Sequence, residues 1–444
     1  MSCAGTDMHN ALWRFIDDDA TFVTENPHKV SRLYFPLANE SGIMSSITPN
    51  LSGDIKTGRH SFLTVPVSTE DLSNSLYNRN FWLYMDGRGP WSIAFGEADE
   101  TLVEAGFLWH KVIKINKKLG VKVEALNFIP AGYDTAELMS VELTNISKKK
   151  LNITPTIAIP IYGRSSDNIR DHRHVTSLLN RIKLTKYGVI MTPRMTFDER
   201  GHKVNETSYF VLGCGADSNP PIGSFPTMME FTGEGGNLEK PASILKNLSP
   251  GKSDIIRQGK EAIGAIRFIE LRLMPCKSFK YVAAIGITSE SPEKIFKKYN
   301  SGEKIDKALA INKKFWAEKS QRVYFSTGGK DFDRWMKWVG VQPVLRKIFG
   351  CSFLPDFDYG KGGRGWRDLW QDSLTLILIH PEEARAILIN SFGGVRIDGS
   401  NAAIIGKKQG EFVSDRNNIQ RVWMDHGVWP FKTLDLYINQ TGDK

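Results

Sequence analysis

Cysteine, long apolar runs and familiar catalytic signatures are all scarce in this 444-residue chain, and each scarcity removes a class of function. The four cysteines, Cys3, Cys214, Cys276 and Cys351, lie far apart, with no CxxC and no cysteine–histidine ligand spacing. Reduced thiols in a cytoplasm are therefore expected, rather than a disulfide framework or a zinc site. His172 and His174 alternate in Asp171-His172-Arg173-His174, but no third ligand accompanies them, so no metal is expected. The first residues lack the basic start and apolar stretch of a signal peptide, which also argues for a cytoplasmic protein. The apolar run at residues 374–379 is far too short to cross a bilayer, so no membrane partner is expected. Gly-x-Ser-x-Gly, HExxH and P-loop patterns are all missing. Asn205-Glu206-Thr207 matches a glycosylation acceptor and reads as a chance match.

What is present is an ordinary globular composition, 41% hydrophobic and 24% charged, long enough for two or three domains at ~150 residues each. The net charge of +9 does not signal nucleic acid, because basic residues are interleaved with acids along the chain. The densest basic cluster, Lys148-Lys149-Lys150, falls in a turn between two apolar strands. A weakly positive field would suit a small anionic substrate such as phosphate.

The periodicity changes once. Up to about residue 290 the chain reads as strands, with alternation or short β-branched runs at 121–126, 138–143, 151–159 and 209–214. Residues 267–273 and 281–287 flank Pro275-Cys276-Lys277-Ser278 and read as a hairpin. Many short strands separated by Gly, Pro and Asn predict an antiparallel sandwich over residues 1–290. Ser291-Pro292-Glu293 then offers a hydroxyl cap, a proline at the first helical position and an acid in the first turn. Amphipathic stretches follow at 303–321, with Ile305, Leu309 and Trp316 on one side, and from Asp331, with Phe332, Trp335, Met336 and Val339. These give a helical linker over 291–345. Helices at 366–379, 381–392 and 428–439 close the chain, so 346–444 is an α-helical unit. Three such helices cannot close a large barrel, which leaves either a small bundle or a fragment.

Chemistry concentrates in Gly365-Trp366-Arg367-Asp368-Leu369-Trp370-Gln371-Asp372. On a helix, Asp368 and Asp372 lie one turn apart on one face, as do Arg367 and Gln371, and Trp366 and Trp370. Like charges at that spacing cost a few tenths of a kcal/mol. A polyhydroxylated ligand would offset them: carboxylates accept from sugar hydroxyls, Arg donates, and indoles stack on sugar faces. A buried Arg–Asp network with core tryptophans is the competing reading. Gly360-Lys361-Gly362-Gly363-Arg364-Gly365 matches GxGxxG, but no strand feeds it, so it reads as a loop rather than a nucleotide site. Arg396 with Asp398, and Asp415-Arg416-Asn417-Asn418, read as polar loops that serve either a site or structural ion pairs. Asp425 and His426, in Trp423-Met424-Asp425-His426, form a second candidate pair at a helix entry.

These segments, with Val395-Arg396-Ile397-Asp398-Gly399-Ser400-Asn401, resemble glycoside hydrolase family 94, the family of cellobiose, cellodextrin, chitobiose and β-1,2-oligoglucan phosphorylases. The early stretches Leu33-Tyr34-Phe35-Pro36-Leu37-Ala38-Asn39-Glu40 and Arg79-Asn80-Phe81-Trp82 look like that family's sandwich. The resemblance implies a multidomain fold: β-sandwich, helical linker and an (α/α)6 barrel, here incomplete. It implies inverting phosphorolysis of β-linked gluco-oligosaccharides to α-glucose 1-phosphate, with inorganic phosphate as co-substrate and no cofactor. Phosphate is already an anionic nucleophile, so one carboxylic acid suffices for the departing oxygen. Leu369-Trp370 stands where cellobiose-type members carry Ser-Asn, which is closer to the β-1,2-oligoglucan branch. By motif, Arg367 and Asp372 would hold the sugar at the cleaved end with Asp368 in support, and Trp366, Gln371, Asp425 and His426 would lie nearby. The family's general acid belongs to a Trp-Asn-Asp-like segment later than Lys444, so an amino-terminal part, inactive alone, is expected. The resemblance also implies a homodimer. The competing readings are a non-catalytic carbohydrate-binding module and a barrel-type glycoside hydrolase with a second carboxylate.

Overall fold

A computed structural model describes residues 12–29, 33–196, 198, 201–349, 364–406, 409–414 and 425–443. Gly360 to Gly363, Asp415 to Asn418, and Trp423-Met424 lie outside the described residues. The chain divides into two compact units, Met1–Phe315 and Trp316–Lys444.

The first unit is built from antiparallel sheets. The largest has eleven strands. Its middle runs, in spatial order, Trp109–Asn116, Val121–Phe128, Ala136–Asn145, Ser278–Thr288 and Ser208–Gly215. Alternation makes the reason legible: in Val121–Phe128 the valines, Ala125 and Asn127 are buried while Lys122, Glu124 and Leu126 are only partly so. A second sheet has six strands, with Leu151–Ile161 between Asn80–Met85 and Ala262–Arg267. The sheets approach closely at Gly264, where any Cβ would collide with the Val211 side chain. A four-stranded sheet, Phe35–Ala38 to Ser61–Phe62, completes the β sheets of this unit among the described residues.

The hairpin expected around Pro275 does not form. Leu271–Leu273 pairs with the start of Leu151–Ile161, whereas Ser278–Thr288 pairs with Ala136–Asn145 and Ser208–Gly215. Residues 268–270 belong to no strand, and Cys276 takes a positive φ of 58° in the connecting turn. Two long neighbours offer Ser278–Thr288 far more ladder than a three-residue strand can, so the local turn does not dictate pairing.

Ser291 precedes the helix Pro292–Lys297, and Gly302–Ser320 follows. Ile295, Phe296, Ile305 and Ala308 cover one face of the large sheet, packing on Phe128, Phe210 and Leu212.

The second unit is mainly helical. Lys330–Phe349 buries Val341, Val344 and Leu345, with Pro343 inside it. The aromatic side expected of this helix is instead open, with Phe332 and Trp335 about half exposed. Periodicity marks which residues share a face, and the tertiary structure decides how far that face is buried. The helices Trp366–Ile379, Pro381–Phe392 and Val428–Thr441 share a core of Trp366, Trp370, Leu376, Leu388 and Tyr437. No helix among the described residues is long and apolar enough to cross a membrane.

Candidate functional site

The helix Trp366–Ile379 separates its side chains by period. Trp366, Leu369, Trp370, Ser373, Leu376 and Ile377 recur every three or four residues and are buried. Arg367, Asp368, Gln371 and Asp372 fall on the remaining surface and keep some exposure. Gly365 enters the helix, and a side chain there would collide with the Asp368 carboxylate.

The carboxylates lie on one face, as the spacing predicts, and arginines meet them. Asp372 Oδ2 accepts from Arg346 Nε at 3.1 Å and from Arg364 Nη2 at 2.5 Å. Arg346 Nη2 also stands 3.9 Å from Asp368. Neither arginine was singled out in the sequence. Arg346 sits on the preceding helix with no motif around it, and Arg364 was visible only as part of the glycine-rich loop. Both charges therefore offset the like-charge cost of the Asp368–Asp372 spacing from within the protein.

Asp425 and His426 arrive from the turn before Val428–Thr441. Arg367 Nε lies 2.9 Å from Asp425 Oδ2, with both side chains about two-fifths exposed (40% and 44%). Trp429 Nε1 donates to the same Asp425 oxygen at 3.3 Å. The His426 carbonyl accepts from Trp366 Nε1 at 3.0 Å, which ties the turn to the helix. Burial holds the His426 imidazole below its ordinary value; Arg367 pushes the same way, against Asp425 and Asp368. Arg367, Asp368, Asp425 and His426 are thus one electrostatic neighbourhood, although about sixty residues of chain separate the two pairs.

The tryptophans face the other way. Trp366 and Trp370 are fully buried and meet edge-to-face at 5.5 Å between ring centroids, and Trp370 packs on Phe392 likewise. As placed, Trp366 has no open surface for a sugar and acts by packing. Gln371 is exposed. Asp398 accepts from the Ser400 backbone and hydroxyl within its own turn, and these bonds hold its carboxyl below the usual range. Arg396 and Asp398 are exposed. Among the described residues no group of three metal-ligating side chains occurs.

An antiparallel β unit followed by helices that carry clustered carboxylates and guanidiniums offers the acceptors and donors that a polar ligand needs. The comparisons with known proteins narrow the class. Residues 79–302 match the supersandwich domain of glycosyl hydrolase 94, half of the chain, and the chain belongs to that family. It is 21% identical over 340 residues to the cellobionic acid phosphorylase of Neurospora crassa, covering 75% of this chain and 39% of that relative. Among solved structures it is similar to a candidate kojibiose phosphorylase from the human microbiome (TM-score 0.52, 12% identity, 96% of this chain and 57% of that one). It is also similar to a bacterial glucoamylase solved with acarbose (TM-score 0.51, 11% identity, 95% and 54%). At such identities the structural likeness is one of fold. The chain spans well under two thirds of the length of each of these proteins.

Proposed function

We propose that this chain serves an inverting glycoside phosphorylase, one that uses inorganic phosphate to cleave β-linked gluco-oligosaccharides and release α-glucose 1-phosphate. Its helices Trp366–Ile379, Pro381–Phe392 and Val428–Thr441 would be part of an (α/α)6 barrel. The observation that carries this reading is the meeting of Arg367, Asp368 and Asp425 on the partly exposed side of one helix, with the buried His426 in the same electrostatic neighbourhood and Asp372 held by two arginines. Partly exposed carboxylates and a guanidinium offer the acceptors and donors that sugar hydroxyls need, without burying a charge. Asp372, fixed from two sides, is the positioned acceptor; the Arg367–Asp425 pair is open enough to exchange its bond for a ligand. Family membership supports the phosphorylase class, and Leu369-Trp370 points toward β-1,2-linked glucans.

Calorimetric titration with β-1,2- and β-1,4-linked gluco-oligosaccharides tests the reading. Binding should weaken about tenfold or more in Arg367→Ala, the loss expected for one or two charge-assisted hydrogen bonds. Incubation of the chain by itself with these sugars and phosphate should release no glucose 1-phosphate. Turnover would place a general acid within these 444 residues, and cleavage without phosphate would favour a hydrolase.

A further inference from the structure

A second cleft lies in the first unit, remote in sequence from the arginine–carboxylate cluster and used by none of the chemistry above. It is a groove of about 590 Å³, open to solvent, between the Ile55–Gly58 to Ser61–Phe62 hairpin, the loop before Ala136–Asn145, and the passage from Ser278–Thr288 into Pro292–Lys297. Its volume falls within the roughly 300–1,000 Å³ of ordinary ligand pockets.

We propose that this groove binds a neutral saccharide chain, with Tyr133 as the stacking platform. Tyr133 stands on its rim with 81% of its surface exposed. The loop that carries it is rigidly held. Asn39 Nδ2 donates to the carbonyls of Pro130 at 3.0 Å and Asp134 at 2.9 Å. The Asp134 carboxylate accepts from Lys298 Nζ at 2.6 Å and from the Tyr299 hydroxyl at 2.7 Å. A large ring presented on a fixed loop loses little entropy when a ligand stacks on it. Beneath it the hydroxyls of Thr57, Ser61, Thr135, Thr207 and Ser289 line the groove, and none has a side-chain hydrogen bond among the described residues. Each hydroxyl both donates and accepts, which matches the alternating demands of a polyol.

Charge argues against an anionic occupant. Asp134 and Glu290 are matched by Lys294 and Lys298, and one of those lysines is already spent on Asp134. A phosphate would meet as much repulsion as attraction. The choice of a gluco-oligosaccharide as probe rests on the proposed function; the site itself does not.

Titration of the intact chain with a neutral β-linked gluco-oligosaccharide of several units, combined with hydroxyl-radical footprinting, tests this. Tyr133 should be protected by the sugar, and Tyr133→Ala should weaken binding roughly 3- to 10-fold, with Tyr133→Phe close to the parent. The residue is exposed, so the variants fold. Unchanged affinity in Tyr133→Ala, or no protection at Tyr133, overturns the inference. So does binding that tightens for an anionic oligosaccharide and fails for the neutral one. Loss in Arg367→Ala alone would uphold the cluster on the second unit and sink this groove. Loss in Tyr133→Ala alone would do the reverse.

Discussion

Each unit contains an arginine–carboxylate pair, and their surroundings are opposite. In the first, Arg79 and Glu137 are both 0% exposed, with Arg79 Nε 2.5 Å and Nη2 3.0 Å from the two carboxylate oxygens. Ser45 and Asn127 donate to the same carboxylate at 2.6 and 2.9 Å, and Arg79 reaches the carbonyls of Leu51 and Ser46. The network therefore ties three sheets together: Arg79 immediately precedes Asn80–Met85, Glu137 lies in Ala136–Asn145, and Ser45 and Ser46 belong to the four-stranded sheet. In the second unit, Arg367 and Asp425 hold each other at 2.9 Å with both side chains partly exposed. A charge pair surrounded by satisfied dipoles is architecture, because releasing either partner strands the other in a low dielectric. The same pair at a wet surface contributes little to folding and is free to take a new partner.

The sharpest way to break this comparison is Arg79→Ala. It leaves Glu137 buried and unpaired, and unfolding titrations should show a loss of about 3–5 kcal/mol. The double variant R79M/E137M should recover much of it, because no lone charge remains. Full stability in Arg79→Ala would mean that the two pairs do not differ in kind.

A smaller effect probes the same interior by pH. His110 is fully buried against Phe35, neither ring nitrogen has a hydrogen-bond partner among the described residues, and burial, aided by Arg79, pushes its pKa down to about 3. Between pH 6.5 and 3 the unfolded chain binds a proton at this residue that the folded chain refuses. Stability should therefore fall as pH is lowered through that window, with a His110 share of up to about 1.4 kcal/mol per pH unit. His110→Leu should flatten the stability–pH curve by that amount relative to the parent. Parallel curves would remove His110 as the cause.

The smallest effects belong to the second unit. Asp372→Ala frees two arginines and should cost about 1–3 kcal/mol. Arg367→Ala should cost about 0–1 kcal/mol while removing sugar affinity. Thermal melts of the two variants, set beside their sugar titrations, separate a positioned acceptor from an exchangeable donor. A large melt shift in Arg367→Ala would make its pair structural.

Where local pattern sufficed, the sequence was a good guide. Val121–Phe128, Ala136–Asn145, Leu151–Ile161 and Ser208–Gly215 each contain the run that predicted them. The helix start at Ser291-Pro292-Glu293 and the helix from Trp366 to a stop before His380-Pro381 were equally visible. The failures share a cause. The strand after Arg267 found Leu151–Ile153 rather than its neighbour, and Phe332 and Trp335 on Lys330–Phe349 stay about half exposed. Both outcomes depend on what lies across a gap, which no window of sequence reports.

The amino-acid order by itself decided the period of each segment, the face on which Trp366 and Trp370 align, and the one-turn spacing of Asp368 and Asp372, because backbone geometry repeats every two or 3.6 residues whatever surrounds it. Only the tertiary structure decided that those indoles face inward and that Arg346 and Arg364 close on Asp372. The folded chain likewise brought Asp425 to Arg367 across about sixty residues and left Tyr133 standing over a groove of free hydroxyls. Those are contacts between distant segments, set by which packed arrangement satisfies the most apolar surface and buried polar groups at once.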